Sequence, residues 1–233
     1  MKALLRHDWY RYRKSLLLFF GIYGGIMGLI FVGESYPIDF RFESEWLYKM
    51  IFLLLLLPVD LFVGLMPAKA LSDSLKSGWL RLSVCFPYTK KQVMMEKIVF
   101  GLLIIAVHGL CVTMCQVTAI AGNADGMAVI GQIICWELTK PLIISALVML
   151  FTVLLNLSAA ICILIGAGII VPHILVGILY MLCREPETAY EIISSVMIFL
   201  TSYIGGFVVL GIAVMLYIVC SYLSVIAFRH KEL

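Results

Sequence analysis

The chain has 233 residues, 63% of them hydrophobic and 13% charged, with a mean hydropathy of +1.08 and a formal net charge of +3. Soluble domains are about 45–50% apolar and about 25% charged, so a single water-soluble core is excluded, whereas a bilayer accepts this much apolar surface on the outside. The small net charge, with no long basic run, argues against a nucleic-acid partner, and spans plus short loops leave no room for a soluble catalytic or nucleotide-binding domain.

In chain order, residues 1–14 predict a cytoplasmic amphipathic helix at the membrane interface. Leu5, Trp9, Tyr12 and Leu16 recur at i, i+4, i+7 and i+11 on one face, while Lys2, Arg6, Arg11 and Arg13 supply charge. A basic helix with an aromatic stripe suits the headgroup layer, although a plain topological anchor has the same composition. No small-residue cleavage site follows, so the next apolar run reads as a first span and not as a removed signal peptide.

A helix crosses about 30 Å of hydrocarbon with about 20 residues. The apolar runs over 15–33, 47–67 and 98–121 are therefore one span each. The run over 141–182 has 42 residues, enough for two spans, 141–157 and 158–182, broken at Asn156-Leu157-Ser158. The last run, 192–228, is too long for one span and too short for two. A short external or re-entrant helical element over 190–203, followed by a span over 205–228, fits it. The expected fold is an all-α integral membrane protein, a single transmembrane domain over 1–233 with six transmembrane helices.

Charge placement supports that count. Thirteen of the 17 Lys and Arg residues fall before the first span, in the 68–97 connection, or after the last span. The positive-inside rule then places both termini and that connection in the cytoplasm. The opposite side carries Arg41, Lys49, Lys140 and Arg184 with an acidic rim including Glu34, Asp39, Glu43, Glu45, Glu185, Glu187 and Glu191. The seven cysteines are odd in number and lie mostly in apolar runs, so they read as small buried hydrophobes and not as a disulfide framework.

The 68–97 connection is the long one on the cytoplasmic side, which makes it a candidate docking surface. Leu71, Leu75 and Trp79 recur at i, i+4 and i+8 and predict a short helix, with Asp73, Lys76 and Arg81 on its polar side. Pro87 then stops one element and Thr89 can cap the next.

The order Asp73, Gly78, Trp79, Leu82, Pro87, Thr89, Lys90 and Lys97 resembles the permease subunits of type-2 ABC exporters, in particular the small six-span group that pairs with a separate ATPase. The motif is degenerate, with Phe-Pro-Tyr-Thr-Lys where relatives more often carry Leu-Pro-hydrophobic-Ser-Arg. The resemblance implies that Leu71, Asp73, Leu75, Lys76, Gly78, Trp79 and Arg81 form a coupling helix seated in the ATPase. It also implies that Leu5, Arg6, Trp9, Tyr12 and Arg13 of the interfacial helix touch the same partner. ATP and Mg would be bound by that partner. This chain has no glycine-rich phosphate loop, so no cofactor and no catalytic residue are expected in it.

Gly21/Gly25 and Gly24/Gly28 form two overlapping GxxxG patterns that permit close helix approach, within the chain or to a second copy or a paralogous permease chain. Asp60, beside Pro58 in the middle of span two, is costly unless paired, protonated or facing a cavity. It is a candidate pathway residue, with a hydrogen bond to backbone freed by Pro58 as the plainer reading. His173, after Pro172, is a second. His108, Cys111 and Cys115 share one face of span three, but ordinary packing accounts for them and no metal site is expected.

These features point first to the permease half of an exporter of amphipathic cargo (an antimicrobial or toxin-like peptide, a hydrophobic drug, or a lipid) in a bacterial cytoplasmic membrane, surrounded by membrane lipid. The alternative is a proton-coupled secondary transporter using Asp60. An integral membrane enzyme would need clustered polar groups at one depth, and the sequence offers no recognisable motif of that kind.

Overall fold

A computed structural model describes residues 2–35, 45–77, 89–120, 126–183, 186–200 and 202–230. Among these, every regular element is a helix: α1 (Lys2–Ser35), α2 (Glu45–Lys76), α3 (Lys90–Ile120), α4 (Gly126–Leu154), α5 (Leu157–Leu182), α6 (Pro186–Leu200) and α7 (Tyr203–His230). Four stretches are long and apolar enough to cross a membrane: Lys90–Met114, Ile134–Leu154, Leu157–Leu182 and Ile204–His230. That is compatible with a multi-pass membrane protein. The six spans expected are not reached among the described residues; much of 15–33 and 47–67 has side chains outside the description.

Three boundaries differ from those expected, each for a physical reason. The interfacial helix over 1–14 and the span over 15–33 are one uninterrupted helix of 34 residues, about 51 Å long at 1.5 Å per residue. No Gly or Pro interrupts the first 20 residues, so nothing breaks the ladder between Lys14 and Ser15. Likewise α2 continues through Pro58 and Pro67 to Lys76, so Leu71–Lys76 is the last part of α2 and not the start of a separate coupling helix. Finally, α4 begins well before Pro141, so Lys140 lies within a helix and not in the connection before it.

Local sequence sets the ends. Thr89 and Gln92 form a reciprocal capping box at the start of α3: Gln92 N donates to Thr89 Oγ1 (3.2 Å) and Thr89 N donates to Gln92 Oε1 (2.9 Å). Asn156 caps α5, its side chain accepting from Ala159 N at 2.8 Å. The element after α5 is a regular helix of 15 residues, α6, that carries exposed Glu187 and Glu191.

The core forms where α4 packs on α7 and α2, and α3 packs on α1, α2 and α4. Val63, Met66, Leu71, Met94, Phe100, Val148 and Phe228 are fully or almost fully buried there. Close approach is made possible by glycine at two crossings. A Cβ at Gly64 would sit 2.6 Å from Ile144 Cγ2, and one at Gly101 would sit 2.9 Å from Pro67 Cγ. Pro67 of α2 is thus accommodated by Gly101, as helix-interior prolines in membranes are by their neighbours. Tyr217 of α7 donates to the Ile98 carbonyl at 3.1 Å and fixes the start of α3 against α7. Among the described cysteines all are free. Cys135 and Cys220 are buried, but Cys162 is exposed on α5, contrary to the expectation of buried cysteines.

Candidate functional site

The polar interior is organised in two layers along α3. The first lies where α1 and α3 begin and α2 ends. Lys97 is ion-paired with Asp8 and stands 3.0 Å from Glu96 Oε2, with the three side chains no more than 3% exposed. Beside them the Tyr12 hydroxyl donates to Asp73 Oδ2 at 2.7 Å. Burial, helped by the Asp73 carboxylate, pushes the Tyr12 phenol above its ordinary pKa, so Tyr12 keeps its proton and remains the donor. The Tyr12 ring also tilts against Phe100, with centroids 6.1 Å apart. These contacts tie three helix ends into one unit.

The second layer is eleven residues further along α3, about 16 Å away at 1.5 Å per residue. Here Asp60 of α2, His108 of α3, and Glu137 and Lys140 of α4 meet. Lys140 Nζ donates to Glu137 Oε1 at 2.5 Å and to Asp60 Oδ2 at 3.2 Å. His108 Nε2 lies 3.2 Å from Asp60 Oδ1 and 3.3 Å from the Glu137 carbonyl oxygen. The other ring nitrogen, Nδ1, is 2.5 Å from the Tyr23 hydroxyl of α1. Phe19 packs against the same histidine, and stacks on Phe62 with centroids 6.0 Å apart. Asp60 and His108 are fully buried and Glu137 nearly so, while the Lys140 side chain is 25% exposed at the edge. Such buried charges persist only because they are paired.

Asp60 therefore does not serve backbone freed by Pro58; it faces a lysine and a histidine. His173 is elsewhere, exposed on α5 with Nδ1 2.6 Å from the Ile169 carbonyl of its own helix. Cys111 is half-buried, and the Cys115 side chain lies outside the description.

The expected coupling residues divide. Leu71 is fully buried and Leu75 half-buried against the core, Asp73 is held by Tyr12, and Lys76 is exposed. Packed within its own chain, Leu71 is not available as part of an apolar docking face. Gly78, Trp79 and Arg81, with Leu82 and Pro87, lie outside the described residues.

On α1 the inward face is shifted from the one expected. Leu5, Tyr12 and Leu16 turn inward, but Trp9 is 50% exposed and Asp8 takes its place, while Arg6 and Arg13 are exposed. A methyl group placed on Gly21, Gly24 or Gly25 would meet no atom within 4 Å, so the GxxxG face is not closed by this chain at those three positions; the surroundings of Gly28 lie outside the description.

Sequence reasoning missed Asp8, Tyr23, Glu96, Glu137 and Lys140 as members of the polar interior. The signal for two of them was present: Glu137 and Lys140 are at i, i+3, one face of one helix, with the sign of an ion pair.

Comparison of the chain with family models, with curated proteins and with solved structures finds no match in any of the three. The functional reading accordingly rests on the geometry and on the resemblance carried by residues 73–97.

Proposed function

We propose that this chain is the transmembrane permease subunit of an ATP-driven exporter of amphipathic cargo, energised by a separate cytoplasmic ATPase and acting as a pair with a second copy or a related chain. In this reading it is a multi-pass protein of a bacterial cytoplasmic membrane, with six spans and both termini cytoplasmic. The observation that supports it is the tie between the three helix ends around the 77–89 connection. That connection leaves α2 four residues after Asp73 and enters α3 eight residues before Lys97. Tyr12–Asp73 and Asp8–Lys97 brace both of its anchor points against α1. Helix ends tied in this way move together when one of them is pushed, which is what a subunit driven from outside requires.

Purification of the solubilised chain from its native membrane tests this. A stoichiometric ATP-binding chain should accompany it, and Trp79→Ala should remove that chain or abolish cargo-stimulated hydrolysis. Normal stimulated hydrolysis in the Trp79→Ala complex overturns the reading.

A second reading, a proton-coupled carrier, is favoured by one specific observation, the burial of Asp60 with Glu137 and His108 between apolar helices. It requires transport without any ATPase and loss of transport in Asp60→Asn.

A further inference from the structure

The deep layer holds more acceptor capacity than it uses. Lys140 occupies one oxygen of each carboxylate, Asp60 Oδ2 and Glu137 Oε1. The other oxygens, Asp60 Oδ1 and Glu137 Oε2, are buried and accept no hydrogen bond. His108 Nε2 stands 3.2 Å from Asp60 Oδ1 without donating to it in hydrogen-bond geometry, and a buried carboxylate oxygen without a directed donor is costly and marks a place where a donor or a cation fits. Asp60, His108 and Glu137 each offer one ligand atom, and the three atoms lie within 4.8 Å of one another. They come from three helices and so converge only in the assembled bundle.

From this convergence we propose that Asp60, His108 and Glu137 form a binding site for a divalent transition-metal ion, and that the Lys140 ammonium is a tethered cation competing for the same carboxylates. The ligand chemistry selects the class. One imidazole nitrogen and two carboxylate oxygens suit Zn²⁺, Co²⁺ or Mn²⁺, and the absence of a thiolate from the set disfavours Cu⁺. Bonds of about 2.0–2.2 Å bring such ligand atoms to roughly 3–4 Å from one another, so side-chain rotations close the set without moving the helices.

His108 is poised for the change. With the ring proton on Nε2, His108 donates to the Glu137 carbonyl oxygen at 3.3 Å. Metal ligation at Nε2 moves the ring proton to Nδ1, which then donates to the Tyr23 oxygen already 2.5 Å away. The proton count of the ring is unchanged. Tyr23 is thus a positioning residue, holding the imidazole plane and supporting the tautomer that binds. Lys140, the partly exposed member, is able to swing toward the edge of the bundle as the ion arrives, and its side of the cluster gives the ion a way in. The site is independent of how transport is energised.

The test uses the full chain purified in detergent with its affinity tag, if histidine-based, removed, and titrates Co²⁺ while recording the visible absorption that a nitrogen–oxygen site gives. One equivalent should bind, Zn²⁺ should displace it, and Asp60→Asn and His108→Ala should abolish the spectrum. Lys140→Gln should bind at least about tenfold more tightly, because a positive charge a few ångströms from the ion is removed. Tyr23→Phe should retain the spectrum and weaken binding about tenfold, as loss of a ligand-orienting partner does. Failure of both the original chain and Lys140→Gln to bind Co²⁺ at millimolar concentration overturns the proposal. So does binding that survives Asp60→Asn, or a Lys140→Gln chain that binds no more tightly. Equal gel-filtration profiles for the variants separate loss of the site from loss of the fold. None of these outcomes bears on the ATPase partnership, which is read from co-purification.

Discussion

The half of the molecule built by α1–α4 and the segment α5–α6 obey different physics. In α3 and α4 about half of the spanning stretch is buried within the chain, 50% and 56%, whereas none of the α5 stretch is. The first half is held by ion pairs, a capping box and glycine-enabled contacts. In the second, α5 is apolar on nearly all sides and shows Ile165, Ile169, Val171, Leu175 and Met181 to its surroundings. A helix hydrophobic all round in water would demand a core; in lipid it demands nothing, because acyl chains are as apolar as leucine. The contrast separates residues that hold the bundle together from residues that this chain leaves uncovered.

The largest effect that can break this comparison is expected at Lys97. Lys97→Met leaves Asp8 and Glu96 buried without their cation and should cost about 3–5 kcal/mol, read as a lower denaturation midpoint in detergent. Ile169→Ala, an exposed site on α5, should stay within about 0.5 kcal/mol. Equal losses at the two sites would mean that α5 is packed as tightly as α3.

Next in size is Gly101→Ala. Its added methyl meets the Pro67 ring at 2.9 Å, and overpacking of this kind costs about 1–3 kcal/mol. A neutral result would show that α2 and α3 slide past each other freely at that crossing.

A smaller loss, about 1 kcal/mol, is expected for Tyr12→Phe, which removes the donor to half-buried Asp73 and leaves the ring contact with Phe100 in place. The same variant sharpens the exporter reading, since ATPase co-purification should persist while cargo-stimulated hydrolysis falls as the brace loosens.

The smallest effect has the opposite sign. Gly168→Ala on α5 meets no atom within 4 Å in this chain, so the helix should gain up to about 1 kcal/mol from the better helix former. Crosslinking in the native membrane supplies the second readout. A stability gain with unchanged crosslinking fits a lipid-facing helix; reduced crosslinking places a second chain against α5.

Much of the fold is legible in the sequence because hydropathy is summed locally. The runs that become α3, α5 and α7 stand out by length alone, and the polar break at Asn156 supplies a capping side chain. The failures share one cause. By local rules Lys140 belongs to a connection, because a lone lysine is costly in lipid, and nothing local announces that Asp60, 80 positions away, neutralises it. Pro67 has the character of a helix stop, although its ring fits over Gly101 and the helix continues. On α1 the apolar periodicity favours Trp9 over Asp8 for the inward face, and Lys97, 89 positions further on, reverses the choice. In the candidate site, Asp60 is legible as costly and Glu137–Lys140 as an i, i+3 pair, but that they meet, and that His108 joins them, is not.

By itself, then, the sequence determined that this chain is helical and suited to a bilayer, since backbone hydrogen bonds close within each helix and apolar area adds residue by residue. Only the tertiary structure decided which charges survive inside. That outcome depends on the relative register of α2, α3 and α4, where a one-residue shift turns a side chain about 100° around its helix and leaves Asp60, His108, Glu137 and Lys140 without one another.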